Sequence, residues 1–161
     1  MLFRSQLGRR EFIDELAAMV ARHGIEPRRM EIEITEGAVM SDYQDGRELL
    51  ARLRRLGFGI AVDDFGTGYS SLRYVHSLPV TRLKLDRQFT AGVGEQGGSA
   101  NVADMIIALG RRLGLDIVAE GVETPDQVEW LRRHGCPCAQ GYLFAHPEPV
   151  EDFIARLRGQ G

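Results

Sequence analysis

The sequence predicts an α/β domain with about five parallel strands and flanking helices. Two observations carry this. Amphipathic helical stretches alternate with short apolar runs, and most of the runs are continuous, as in strands covered on both faces. Each of the first four runs then closes on an acidic residue, at the strand end where parallel α/β sheets place functional groups.

Phe12, Ile13, Leu16, Met19 and Val20 form the stripe of a helix over residues 9–23. Leu49, Leu50, Leu53 and Leu56 predict a second over 45–56, stopped by Gly57. Further helices are expected over 69–77, 101–113, 125–134 and 150–158. Thr124-Pro125 supplies an N-cap followed by proline at the first helical position, and Pro149 opens the last helix likewise. The intervening strands are Glu31–Thr35, Gly59–Asp63, Arg82–Asp86, Asp116–Glu120 and a weaker Ala139–Leu143. The glycine-rich stretch over 92–98 reads as a surface loop. No linker-like composition divides the chain, so residues 1–161 read as a single domain.

Hydrophobic residues make up 43% and charged residues 27%, ordinary values for a soluble globular protein. A formal charge of -3 provides no basic field for nucleic acid, so none is expected as a partner. The N-terminus has no signal-like apolar core and no apolar run reaches spanning length, so this segment is expected to be cytoplasmic and free of membrane. Cys136 and Cys138 cannot make a disulfide framework, and the four histidines make no metal-ligand spacing with them. Reduced, half-buried thiols are expected.

The acids at the strand ends are Glu36, Asp63 with Asp64, Asp86 and Glu120. Five carboxylates on one rim repel each other unless cations intervene, and oxygen-only ligands suit Mg²⁺ or Mn²⁺. Of the 20 basic residues 19 are arginine, and Lys84 is the single lysine. Lys84 and Asp86 lie two apart on one strand and so share a face. A lysine there has a compact ammonium whose pKa burial can lower, suited to orienting or deprotonating water on a metal. Glu33 alternates with Ile32 and Ile34, and the pattern assigns it no role.

The segment from Asp63 to Leu72 is the most specific. It joins a strand end and two acids to a loop hinged by Gly66, Thr67 and Gly68, of the kind whose backbone N–H groups approach phosphate. Asp64-Phe65-Gly66 spells the kinase metal triplet, but no HRD-type loop or VAIK strand accompanies it, and Gly66-Thr67-Gly68 lacks the third glycine of a dinucleotide fingerprint.

Glu33-Ile34-Thr35-Glu36, Asp63 to Leu72, Leu83 to Arg87, Ala119 to Thr124 and Gln140 to Phe144 together resemble, in order, the motifs of EAL-domain proteins. Gly135-Cys136 and His146-Pro147 fit the same pattern, and the resemblance runs from about residue 2 to 158. It implies a TIM-like (β/α) barrel that hydrolyses cyclic di-GMP to linear pGpG with two divalent metals, Mg²⁺ or Mn²⁺. Glu36, Asp63, Asp64 and Glu120 would then be metal ligands, and Lys84 would contact the nucleophilic water. Glu123 resembles the glutamate that steadies the loop after the Asp-Asp-Phe-Gly strand, and Gln140 a residue that holds water on the metal. Asp86, Gly66, Thr67 and Gly68 would support the site. Upstream sensory or GGDEF domains are common companions in such proteins.

The Glu-Ala-Leu signature is absent, and Met1 stands where the family has an asparagine ligand. The expectation is therefore an incomplete TIM-like barrel, a truncated domain whose hydrolysis is impaired. A non-catalytic module that binds cyclic di-GMP or another protein is the alternative. Five strands cannot close an eight-stranded barrel, so an uncovered inner face exposing apolar residues such as Ile60-Ala61-Val62 and Ile117-Val118-Ala119 is also expected, and with it a homodimer or other self-association.

Overall fold

The computed structural model of the protein describes residues 10–35, 37, 43–67, 75–93 and 98–159. The helices are α1 (Arg10–Arg22), α2 (Tyr43–Arg55), α3 (Arg87–Thr90), α4 (Gly98–Leu113), α5 (Pro125–Arg133) and α6 (Val150–Gly159). The strands are β1 (Glu31–Thr35), β2 (Gly59–Phe65), β3 (Arg82–Leu85), β4 (Asp116–Ala119) and β5 (Cys138–Ala139). All neighbouring strands pair in parallel, in the order β1-β2-β3-β4-β5. Sequential parallel neighbours with helices between them are the winding of a (β/α) barrel wall.

The expected strands appear with altered ends. β1 has the expected bounds, β2 runs two residues further to Phe65, and β3 and β4 each stop one residue before their acid. β5 spans Cys138–Ala139 rather than reaching Leu143, because the chain turns away at Gly141. Most of the helix expected over 69–77 lies outside the described residues, and its described end, Val75–Ser77, is a 3-10 turn. Four residues are too few to show a periodic stripe, which is why α3 left no trace in the pattern.

Paired residues of parallel strands share a face, so the register sorts every strand side chain. Ile32, Ile34, Ile60, Val62, Leu83, Leu85, Ile117 and Ala119 fall on one face and are buried. They form one core with Leu50 and Leu53 of α2, Ala103, Ile106 and Ile107 of α4, and Leu131 of α5. Helix α4 comes close to β4 because Gly110 is bare, and a Cβ there would stand 1.9 Å from Ile117 Cδ1. Thr124 and Gln127 make a reciprocal capping box that fixes the start of α5, as the Thr124-Pro125 pair predicts.

The opposite, inner face corrects the expectation of exposed apolar residues. Its positions are Glu31, Glu33, Thr35, Ala61, Asp63, Arg82, Lys84, Asp116 and Val118. Ile60, Val62, Ile117 and Ala119 point into the helical core instead, and Ala61 is itself buried. Arg82 bridges Glu31 at 2.9 Å and Asp116 at 3.3 Å, which makes a charged layer near the strand starts. Exposed apolar surface lies elsewhere, on Tyr142 and Phe144 and along α6 at Val150, Phe153, Ile154 and Leu157. No helix among the described residues is long and apolar enough to cross a membrane.

Candidate active site

The site is built on an irregularity in β2. Val62 pairs with Leu83 and Phe65 with Leu85, so Asp63 and Asp64 together stand opposite Lys84 alone. This is a β-bulge, one extra residue in one strand. Asp64 absorbs it with a φ of 54°, the single positive value outside glycine among the described residues. Aspartate tolerates that region better than most residues, though at an energetic cost. In a regular strand neighbouring side chains leave on opposite faces. Here ligand oxygens of Asp63, Asp64 and Glu120 lie within 4.8 Å of one another.

Lys84 stands among these acids. Its Nζ lies 2.8 Å from Glu120 Oε1, 2.9 Å from Glu33 Oε1 and 3.0 Å from Asp63 Oδ1. Burial alone would lower its pKa, but hydrogen bonds to Glu120, Glu33 and Asp63 outweigh burial and hold it above the ordinary ammonium value. Lys84 is thus held as an ammonium by three carboxylates.

The acids still outnumber it. Burial, then the charges of Asp63 and Asp86 and a hydrogen bond with Asp86, raise the Asp64 pKa against the pull of Lys84. Burial likewise raises Glu120, helped by Asp63 and Glu33 and opposed by Lys84. A cluster of hard oxygens with uncompensated negative charge fits a divalent cation.

The remaining expected residues divide. Gln140 joins the cluster by donating from Nε2 to Glu120 Oε1 at 2.7 Å. Asp86 caps α3 by accepting from the Gln88 N–H at 2.8 Å and also neighbours Asp64. Thr67 donates from its hydroxyl to the Asp64 carbonyl at 2.9 Å and steadies the bulge. Gly66 has a φ of 98° and sits so close to α4 that a Cβ would stand 2.6 Å from Ile106 Cδ1. Glu123 turns away from the cluster and pairs with Arg87 at 3.0 Å. Glu36 and Gly68 lie outside the described residues.

Glu33 is the residue the sequence pattern left without a role. It shares the inner face with Thr35, whose partner is Asp63, and it reaches Lys84. The alternation of Glu31, Glu33 and Thr35 against Ile32 and Ile34 was the signal that could have found it, once the apolar set was assigned to the helical core.

A family model described as EAL domain matches residues 2–147. The chain belongs to the EAL domain family. This EAL chain is 42% identical over 157 residues to the cyclic di-GMP phosphodiesterase NbdA of Pseudomonas aeruginosa, covering 96% of the chain and 20% of NbdA. It superposes on the PaMucR phosphodiesterase in complex with c-di-GMP with a TM-score of 0.88 at 41% identity, covering 94% of the chain and 62% of that structure. BlrP1 of Klebsiella pneumoniae, solved with manganese and cyclic di-GMP, gives a TM-score of 0.82 at 30% identity, over 89% of the chain and 36% of BlrP1. The EAL chain thus spans about a fifth of the length of NbdA and about three fifths of the PaMucR chain. The expected architecture is borne out: an incomplete TIM-like (β/α) barrel of five parallel strands with flanking helices, its sheet not closed among the described residues.

Proposed function

We propose that this EAL chain carries the catalytic rim of a metal-dependent phosphodiesterase that hydrolyses cyclic di-GMP to linear pGpG. The observation that carries the reading is the convergence of Asp63, Asp64 and Glu120 around Lys84 at the C-terminal ends of β2, β3 and β4. Membership of the EAL family, with a relative solved in complex with c-di-GMP, supports the choice of substrate.

Asp63, Asp64 and Glu120 would hold Mg²⁺ or Mn²⁺, with Glu33 beside them and Glu36 as a further ligand. The chemistry such a cation supplies when bound is Lewis acidity toward a phosphoryl group. Lys84 keeps its proton at Nζ, orders three carboxylates and places a fixed positive charge where a phosphodiester gathers negative charge. Gln140 holds the Glu120 carboxylate in one orientation. Glu123 secures the loop after β4, and Asp86, Gly66 and Thr67 support the bulge. In this reading residues 1–161 act as one domain, in the cytoplasm, and associate as a homodimer.

The test is hydrolysis of cyclic di-GMP by the full chain with Mn²⁺, followed by chromatography of pGpG, for wild type and Asp63→Asn. Turnover that falls at least about a hundredfold in the variant supports the reading. Equal turnover would place the chemistry elsewhere. Slow turnover in the wild type fits the impaired hydrolysis expected from the sequence, whereas nucleotide binding with no turnover at all would replace an enzyme with a binding module.

A further inference from the structure

Arg87 follows the capping Asp86 and opens α3. Its Nη2 lies 3.0 Å from Glu123 Oε1, in the loop after the next strand. On the way its aliphatic stem crosses Gly121. A Cβ at Gly121 would stand 2.5 Å from Arg87 Cγ, 2.8 Å from Cβ and 2.9 Å from Cδ. Gly121 has a φ of 66° and leaves open the space that the stem fills. One side chain therefore spans from the end of β3 to the loop after β4, touching the residue next to Glu120 and the residue three beyond it.

The far side of that loop is tied by backbone. The Val122 N–H donates to the Gln140 carbonyl at 3.1 Å, and the Leu143 N–H to the Val122 carbonyl at 3.0 Å. The Glu123 and Thr124 N–H groups share Gln127 Oε1 at 2.7 and 3.0 Å. On the near side the Glu120 N–H donates to the Leu85 carbonyl at 3.0 Å. Beyond that hydrogen bond and the Lys84–Glu120 ion pair at the strand end, Arg87 is the side chain seen to fasten the loop past Glu120 to the β3 side. Without it Gly121, free to rotate, would join Glu120 to a loop held from one side.

We infer that Arg87 is a positioning residue: by crossing Gly121 and pairing with Glu123 it sets where the Glu120 carboxylate stands in the acid cluster. The inference rests on the proposed reading of that cluster as a cation site. Arg87 acts through the loop, as groups behind a metal ligand do when they fix its orientation.

The experiment measures Mn²⁺ affinity by calorimetry and amide exchange at Glu120 and Val122, in wild type, Arg87→Ala, Arg87→Lys and Asp63→Asn. Arg87→Ala should weaken Mn²⁺ binding about tenfold with little change in melting temperature, and should speed exchange at both amides about tenfold. Arg87→Lys keeps a charge and most of the stem, and should return both readings toward wild type. If Arg87→Ala binds Mn²⁺ as wild type does while Asp63→Asn does not, the inference falls and the cation site stands. A lower melting temperature with unchanged affinity overturns it too, reducing the Arg87–Glu123 pair to a structural contact. If Asp63→Asn binds Mn²⁺ normally, the cation reading falls, and exchange at Glu120 and Val122 alone decides: unchanged exchange in Arg87→Ala overturns the inference.

Discussion

One oxygen of Glu120 receives both of its donors: Oε1 lies 2.8 Å from Lys84 Nζ and 2.7 Å from Gln140 Nε2. The carboxylate is thus oriented from two strands, by an ammonium on β3 and an amide just beyond β5. Lys84 is shared in turn with Glu33 and Asp63, so the three acids and the lysine behave as one unit.

Removing the ammonium leaves partly buried acids facing each other. Lys84→Met should destabilise the chain by about 3 kcal/mol in urea unfolding without divalent metal, because breaking a buried pair strands its partners. Millimolar Mn²⁺ should restore part of the loss. A variant as stable as wild type without metal would mean that solvent already screens the cluster.

Lys84→Arg tests geometry at constant charge. A planar guanidinium cannot place one point charge within 3.0 Å of three carboxylates as the ammonium does. On the proposed reading, turnover of cyclic di-GMP should fall about a hundredfold, on the scale of a lost preorganised donor, with nucleotide affinity nearly unchanged. Wild-type rates would make Lys84 a structural charge only.

Gly66→Ala should be costly although the added group is one methyl. The φ of 98° disfavours any side chain, and the Cβ would press on Ile106 and Phe89. A loss of about 2 kcal/mol is expected from backbone strain alone, lowering the melting temperature by roughly 5 °C. An unchanged melting curve would show that the loop relaxes into another conformation.

The two thiols should separate in a titration with Ellman's reagent. Cys138 is exposed, whereas Cys136 is buried, and burial pushes its thiol pKa up. In the native protein at neutral pH one thiol should react quickly and the second only on unfolding. Two equally fast thiols would show that the β5 region opens readily.

The apolar surface of α6 sets the expectation for assembly. Val150 is 60% exposed and Leu157 57%, with Phe153 and Ile154 on the same helix. Light scattering at micromolar concentration should report a species larger than the 18.0 kDa monomer. Phe153→Glu combined with Leu157→Glu should return it to monomer mass. A wild type that is already monomeric would remove α6 as a contact surface.

Much of this fold was legible because each helix and strand is written locally. The leucine stripe of α2, the apolar runs of β2 and β4, and the Thr124-Pro125 start of α5 each need only a short window of sequence. The lone lysine and the Asp63-Asp64 pair pointed to the site for the same reason. Glu33 did not, because its meaning depends on Lys84, 51 residues further along, through a register set only when β1, β2 and β3 assemble. Ile60, Val62, Ile117 and Ala119 were assigned to the wrong face for a related cause, since a continuous apolar run does not say which side of the sheet the helices will cover. The raised pKa of Lys84 was equally out of reach, since it comes from three acids on β1, β2 and the end of β4.

The bulge in β2 is also a change of phase. Ala61 and Asp63 point inward, and plain alternation would send Phe65 the same way, into the charged rim. The extra residue reverses the alternation, so Phe65 pairs with Leu85 and is buried in the helical core. The aspartate doublet is therefore a unit of length as well as of charge. Point substitutions at Asp63 or Asp64 keep the spacing and trade only chemistry. Deleting either one would remove the bulge and leave Phe65 opposite Leu85 with the remaining aspartate opposite Lys84, so shortening here would spare the core and cost the rim one carboxylate.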